Sequence, residues 1–339
     1  MRKTKFIILK IEQLLIPLCI YLFTIFLVLF SSDNLAAAKN GLSLWAFSVV
    51  PSLLPFFIAT ELLSYTNIIS TLGKFLNCFM RPIFNVPGEG SFALLMGIIS
   101  GYPVGAKIVS NLKEQGICTN VEAERLIAFT NNSGPLFIIG TVGVSLFSSS
   151  AIGFKLFIVH VLSCFFVGFI FRWWKCKQYN KRNFRNEISS SVLDLTFSNL
   201  GEVLSTSIQK AIHSVVIIGG FVILFSVIVS MLNNSRIFNI IGIFISPFFK
   251  LLHIPPVYLQ GIITGIIEVT NGVKLAAINT NPISIIICSF LLGFGGISVL
   301  LQVLSITSKA RISIKPYILG KFLQACFSAV LMWFLLYKL

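Results

Sequence analysis

The stretch GIISGYPVGAK at residues 97–107 sets two helix-breaking glycines, a proline and a lysine inside a segment otherwise apolar enough for lipid. It returns, altered, as GIITGIIEVTNGVK at residues 261–274. Gly97 to Gly101 align with Gly261 to Gly265, and Gly105-Ala106-Lys107 align with Gly272-Val273-Lys274 after three extra residues. A broken helix at membrane depth leaves backbone N–H and C=O groups that lipid cannot satisfy, so it survives only where protein or a water-filled cavity covers it. A chain with two such segments has to fold around them.

The membrane setting follows from charge. Only 11% of residues are charged and 56% are hydrophobic, with a mean hydropathy of +0.92; a soluble domain carries roughly a quarter charged residues. At roughly 20 apolar residues per span, the 339 residues accommodate about seven to nine helices. The formal charge of +15 does not indicate a nucleic-acid partner, because Lys and Arg gather at the ends of apolar runs, as RKTK (2–5), RWWKCKQYNKRNFR (172–185) and SKARISIK (308–315). The N-terminal run from Leu14 to Phe30 is long for a signal peptide and reads as an uncleaved first span, with cleavage at Ala36 to Ala38 as the alternative.

The predicted fold is an all-α polytopic membrane protein. Helices are expected over 12–30, ended by Ser31 to Asn34, and over 43–64, kinked by Pro51 and Pro55, with Glu61 near its far end. An interfacial piece (68–86) precedes a re-entrant hairpin (91–116), a helix over 121–147 interrupted at Asn131 to Pro135, and a helix over 151–174. A polar stretch from Gln178 to about Glu202 follows, and the order repeats: helix 209–232, interfacial 236–252, broken segment 255–278, helices 283–306 and 316–337. This gives an N-terminal helix and loop (1–40), a first membrane repeat (41–177), a cytoplasmic linker (178–205) and a second repeat (206–339).

Matches between the halves keep one order and nearly one offset. Gly97 pairs with Gly261 (261 − 97 = 164) and Gly153 with Gly320 (320 − 153 = 167), while Phe137, Gly140, Gly143 and Ser145 pair with Phe290, Gly293, Gly296 and Ser298 at 153. The helix at 151–174 carries its basic cluster after its end, and its partner at 316–337 carries one before its start. If both clusters are cytoplasmic, the two helices run oppositely and the repeats are inverted. Inverted repeats with broken helices are a mark of secondary transporters.

Enzymatic chemistry finds no purchase. His160, His213 and His253 lack an acidic partner at a suitable spacing, and no GxSxG, HExxH or phosphate-cradling motif occurs. His160 serves either as a proton relay or as a packing residue. The cysteines (Cys19, Cys78, Cys118, Cys164, Cys176, Cys288, Cys326) show no metal spacing, so no cofactor or metal is expected; Cys176 is either plain or lipidated.

The broken segments hold the candidate substrate-binding residues. These are Ser100, Gly101 and Tyr102 at the first turn, Asn131, Asn132 and Ser133 at the helix interruption, and Thr270 and Asn271 in the second segment. Their side chains either meet a substrate or cap the broken ends, where freed N–H groups favour an anion. Lys107 and Lys274 occupy equivalent places. A pseudo-two-fold axis would turn both toward the centre, where a pair of cations suits a dianion, unless each snorkels to the headgroups. Glu268 has no counterpart in the first half; it either takes a coupling proton or pairs with Lys274.

At SGYPVGAK and NNSGPLFIIGTVG the chain resembles the sporulation integral membrane proteins of the YlbJ type, placed with the nucleoside-recognition, or Gate, domain proteins. The resemblance runs from the second helix to the last. It implies a protein of the outer forespore membrane, made in the mother cell of a spore-forming bacterium, that imports dipicolinic acid, a small aromatic dicarboxylate. It also implies a scaffold similar to the concentrative nucleoside transporters, with paired re-entrant hairpins, in contact with membrane lipids and compatible with a homo-oligomer. A nucleoside cargo, or a non-transporting structural or signalling role, are the competing readings.

Overall fold

The computed structural model describes residues 2–176, 198–251 and 254–338. Most of the linker and His253 lie outside the described residues.

Helix α1 (Arg2–Leu29) stops just before Ser31, as the polar residues suggest, but Ser31 to Asn34 open a second helix rather than a loop. The chain bends by 100° into α2 (Ser31–Leu44), and the Asn34 amide donates to the Phe26 carbonyl at 2.9 Å across the bend. α2 passes through a π turn, Trp45–Val49, into α3 (Val50–Ser64). The wide turn immediately precedes Pro51, which, like Pro55, has no N–H for the carbonyl four residues back. α4 (Ile68–Phe84) is amphipathic, exposing Phe75 and Phe79 while burying Met80 and Phe84.

The first hairpin is α5 (Gly90–Ser100) and α6 (Val104–Glu114), each 11 residues. At about 1.5 Å per residue such an arm spans roughly 17 Å, half of a bilayer core of about 30 Å. Its turn needs Gly101, whose φ of 90° a side chain would oppose. α7 (Asn120–Thr130) follows, starting on a capping box between Thr119 and Glu122. The chain then runs extended through Asn131 and resumes as a π-helix, Leu136–Leu146, before α8 (Ser150–Phe171).

α9 (Leu200–Asn234) is 35 residues long, so the end of the expected linker, from Leu200 to Ser205, is helical. α10 (Ile237–Leu251) repeats the role of α4. The second hairpin is α11 (Leu259–Ile267) and α12 (Val269–Ala276), turning at Glu268. The apolar run at 283–306 is not one straight helix. It divides into α13 (Pro282–Phe294) and α14 (Gly296–Thr307), because Gly295 and Gly296 take φ of 82° and 84°. α15 (Lys315–Tyr337) completes the chain.

The repeat is thus more regular than the sequence indicates. α7 and α13 start 282 − 120 = 162 residues apart, and α8 and α15 start 315 − 150 = 165 apart. The pairing of Gly143 with Gly296 at 153 does not hold: Gly143 lies inside the π-helix, whereas Gly296 lies at the break.

Two apolar cores organise the molecule. One joins the first hairpin, α4 and α7 to the end of α8 (Phe171), the start of α15 (Tyr317) and the first half of α9 (Ala211, Val215). The other joins the second hairpin and α13 to the start of α8 (Leu156) and the end of α15 (Met332). α8 and α15 therefore run antiparallel, as inverted repeats require. Among the described residues, four helices, counting α13–α14 as one, can cross a membrane by length and composition, and a fifth if α1–α2 is one span. That is fewer than seven to nine because so much apolar sequence goes into half-length arms. The chain is a multi-pass integral membrane protein.

Buried ions hold the first repeat's outer end. The Arg125 guanidinium, 0% exposed, donates to the carbonyls of Asn85 (2.7 Å) and Trp174 (2.9 and 3.1 Å), while Glu122 pairs with Arg81 and Glu124 with Lys175.

Candidate functional site

The four chain breaks converge between the two cores. Gly101 at the first hairpin's tip abuts the Gly134 N and the Asn132 carbonyl of the α7 break. Tyr102 from the same tip donates its hydroxyl to the Leu292 carbonyl at 3.0 Å and lies against Gly295, while Gly296 lies against Ile267 and Val269 of the second hairpin. The Tyr102–Pro103 peptide is cis.

Around these turns runs a buried polar layer. The Asn131 amide donates to the Tyr317 hydroxyl (3.2 Å), and its side-chain oxygen accepts from the Ala106 N–H (3.4 Å). Asn132 donates to the Phe129 carbonyl and accepts from Gln324 at 2.9 Å. His160 Nε2 accepts from the Ser133 N–H at 3.3 Å. Lys321, 2% exposed, donates to the Asn131 carbonyl at 2.8 Å and to Gln324 Oε1 at 2.7 Å. Asn131 and Asn132 are fully buried. The hydroxyls of Ser100, Thr130, Ser133 and Thr264 are also buried, with no hydrogen-bond partner among the described residues. Ser100 and Thr264 are repeat equivalents.

Lys107 and Lys274 do not meet across this layer. Lys107 lines a cavity of about 470 Å³ with Glu61, Lys210, His213, Ser214 and Lys309. Lys274, exposed, lines another of about 760 Å³ with Asn40, Ser230, Gln260, Thr270 and Asn271. Both cavities border the one helix α9, at Lys210 to Ile218 and at Ser226 to Asn233, so that their nearest lining residues on it, Ile218 and Ser226, are about 12 Å apart at 1.5 Å per residue. The reason is the inversion itself: each hairpin's second arm leads away from the tip toward its own face, and each lysine lies a turn or more along that arm.

The Lys107 ammonium is 2.6 Å from Glu61 Oε1 and 3.0 Å from the Ser214 hydroxyl, and stands 5.3 Å from the centre of the Phe57 ring. Lys210 reaches the other Glu61 oxygen at 3.6 Å and donates to the Tyr65 hydroxyl at 3.2 Å. With Lys309 and Glu114, the wall carries three lysines against two glutamates. The other cavity is lined by Lys274 and uncharged groups, with no carboxylate among its lining residues.

Glu268 is not paired with Lys274. Its carboxylate accepts from the N–H groups of Thr270 (2.9 Å) and Asn271 (2.8 Å) and caps α12. Thr270 and Asn271 therefore supply main-chain donors to Glu268, and both line the Lys274 cavity.

Sequence reasoning noted Glu61 without a role and passed over Lys210, Tyr317, Lys321 and Gln324. The one legible signal was Lys321 itself, a single cation in the apolar run ILGKFLQACF.

The family model described as Gate, Nucleoside recognition, matches residues 46–171. The sporulation integral membrane protein YlbJ of Bacillus subtilis (strain 168) is 36% identical over 346 residues, covering 97% of this chain and 84% of the relative. Two solved structures of CNTnw also align at 14% identity: a substituted form in an outward-facing state (TM-score 0.49, 90% of this chain and 85% of that one) and an inward-facing, substrate-bound state (0.46, 89% and 84%).

Proposed function

Because this chain belongs to the family of the sporulation integral membrane protein YlbJ, we propose that it is a transporter of a small organic dianion, dipicolinate, across the outer forespore membrane. The observation that carries the reading is the pair of cationic cavities on opposite sides of a closed polar layer, each lined by one of the two equivalent lysines. An anion entering either cavity meets an ammonium before it meets the barrier. The Lys107 cavity includes Lys309 of the basic tract at 308–315, and in this reading, by the positive-inside rule, that face meets the cytoplasm of the mother cell.

In this reading Lys107 and Lys274 act in turn, each as the substrate's ligand on its own face. Between them the hairpin tips, with Ser100, Gly101 and Tyr102, and the break at Asn131 to Ser133 form the barrier that has to part. The uncharged donors around Lys274, with Thr270 and Asn271, complete a site for a carboxylate.

Purified protein in proteoliposomes is expected to move labelled dipicolinate. Lys107→Gln and Lys274→Gln are each expected to lower the flux about ten- to hundredfold, the equivalent of one charge-assisted hydrogen bond. Absence of flux under every ion gradient tried, with the protein shown to be folded, overturns the reading. The Gate match over residues 46–171 favours a nucleoside as the second cargo. Competition with uridine separates the two: a dicarboxylate carrier is indifferent to it, and a nucleoside carrier is inhibited.

A further inference from the structure

Lys321 carries a buried amino group that the two cavities leave unused. It makes no ion pair among the described residues. Its Nζ has the Asn131 carbonyl at 2.8 Å, Gln324 Oε1 at 2.7 Å, and the centre of the Tyr102 ring at 5.2 Å. An ammonium has three N–H donors and no acceptor, and here it meets a main-chain oxygen, an amide oxygen and an aromatic face. Gln324 is held so that its oxygen faces the lysine, because its Nε2 is engaged by Asn132 at 2.9 Å.

The Asn131 carbonyl is available only because α7 stops at Thr130 and Asn131 turns extended. Carbonyls freed at broken helices are the ligands that hold small coupling cations in secondary transporters. At this break the ligands are already engaged by a side chain. By the offset that pairs Gly153 with Gly320, the counterpart of Lys321 is Phe154, which faces outward at 54% exposure, so the feature belongs to one half of the molecule.

We propose that Lys321 is a tethered cation: its ammonium occupies a monovalent-cation site between the first hairpin's tip and the α7 break. This side of the polar layer then closes without a free alkali-metal ion, and removing the side chain opens the site to sodium, potassium or ammonium. The inference stands on the packing alone and does not depend on the cargo.

The test is thermal unfolding of the detergent-purified full chain at constant ionic strength, with N-methyl-D-glucamine chloride replaced stepwise by NaCl, KCl or NH4Cl. The Tm of the unsubstituted protein is expected to be indifferent to the choice of cation. Lys321→Ala is expected to lose about 5–10 °C in N-methyl-D-glucamine, from two charge-assisted hydrogen bonds, and to recover part of it saturably with a small cation. Lys321→Met, which fills the space, is expected to fall without recovery. A saturable rise in the Tm of the unsubstituted protein with Na+ or K+, or a folded Lys321→Ala that no cation stabilises, overturns the proposal. Should Lys321→Ala not fold, Lys321→Ser takes its place in the same titration, and a folded Lys321→Ser that no small cation stabilises overturns the proposal.

Discussion

One carboxylate, that of Glu61 on α3, lies 2.6 Å from the Lys107 ammonium of the first hairpin and 3.6 Å from the Lys210 ammonium of α9. It links the hairpin to the helix that bridges both cavities. Its side chain is 5% exposed and that of Lys107 is 18% exposed, so the pair is largely withdrawn from water. Lys107→Gln leaves the buried acid with only the more distant, half-exposed Lys210, and is expected to cost about 3 kcal/mol, toward the lower end for a broken buried pair. Glu61→Gln combined with Lys107→Gln is expected to recover most of it, as a double-mutant cycle on chemical unfolding will show. Glu61→Gln alone frees Lys107, and dicarboxylate binding to the purified protein is expected to tighten several-fold, by about 1 kcal/mol.

Tyr102 joins the first hairpin's tip to the break between α13 and α14. Tyr102→Phe keeps the ring over Lys321 but removes the hydroxyl from the Leu292 carbonyl. The expected loss is about 1 kcal/mol, with faster hydrogen exchange confined to the end of α13 and the start of α14. Exchange that rises evenly over the whole chain would show that the contact does not hold the tip locally.

Arg125 clamps α7 to the ends of α4 and α8. Arg125→Met leaves the Asn85 and Trp174 carbonyls without their donor, and is expected to cost about 2–6 kcal/mol, read as a lowered denaturation midpoint. Arg125→Lys is expected to recover little, because one ammonium cannot span two carbonyls as the forked guanidinium does.

Glu268 acts as a cap. Glu268→Ala is expected to cost about 1 kcal/mol, and Glu268→Gln less, since the amide keeps one acceptor oxygen for the Thr270 or Asn271 N–H. If flux through Glu268→Gln loses its dependence on a pH gradient while stability holds, the residue carries a coupling proton as well.

The inverted arrangement is open to cysteine labelling. Cys176, exposed after α8, and an introduced Lys309→Cys are expected to react from the same side of the membrane, and Gln260→Cys from the other. Cys118 is expected to stay silent: it is buried between α6 and α7, and burial beside the Glu122 carboxylate pushes its thiol up to about 12. Labelling of residues 176 and 309 from opposite faces would contradict the fold.

The sequence by itself determined the membrane class, the half-length hairpins and the break at Asn131 to Pro135. Each is a local property, a run of apolar residues too short to cross or a glycine and proline where a helix cannot continue. It also located the lysines in equivalent positions, because equivalence is a matter of register. Only the tertiary structure decided what those positions face. Inversion sends Lys107 and Lys274 to separate cavities, and brings Lys321, Gln324 and Tyr317 from the last helix to the centre. Those three lie about 190 residues from the Asn131 and Asn132 they bind, and no local pattern records such a contact. Gly295 and Gly296 fall between these cases: the glycines are legible, but whether an apolar run bends there depends on the hairpin tip that packs against it.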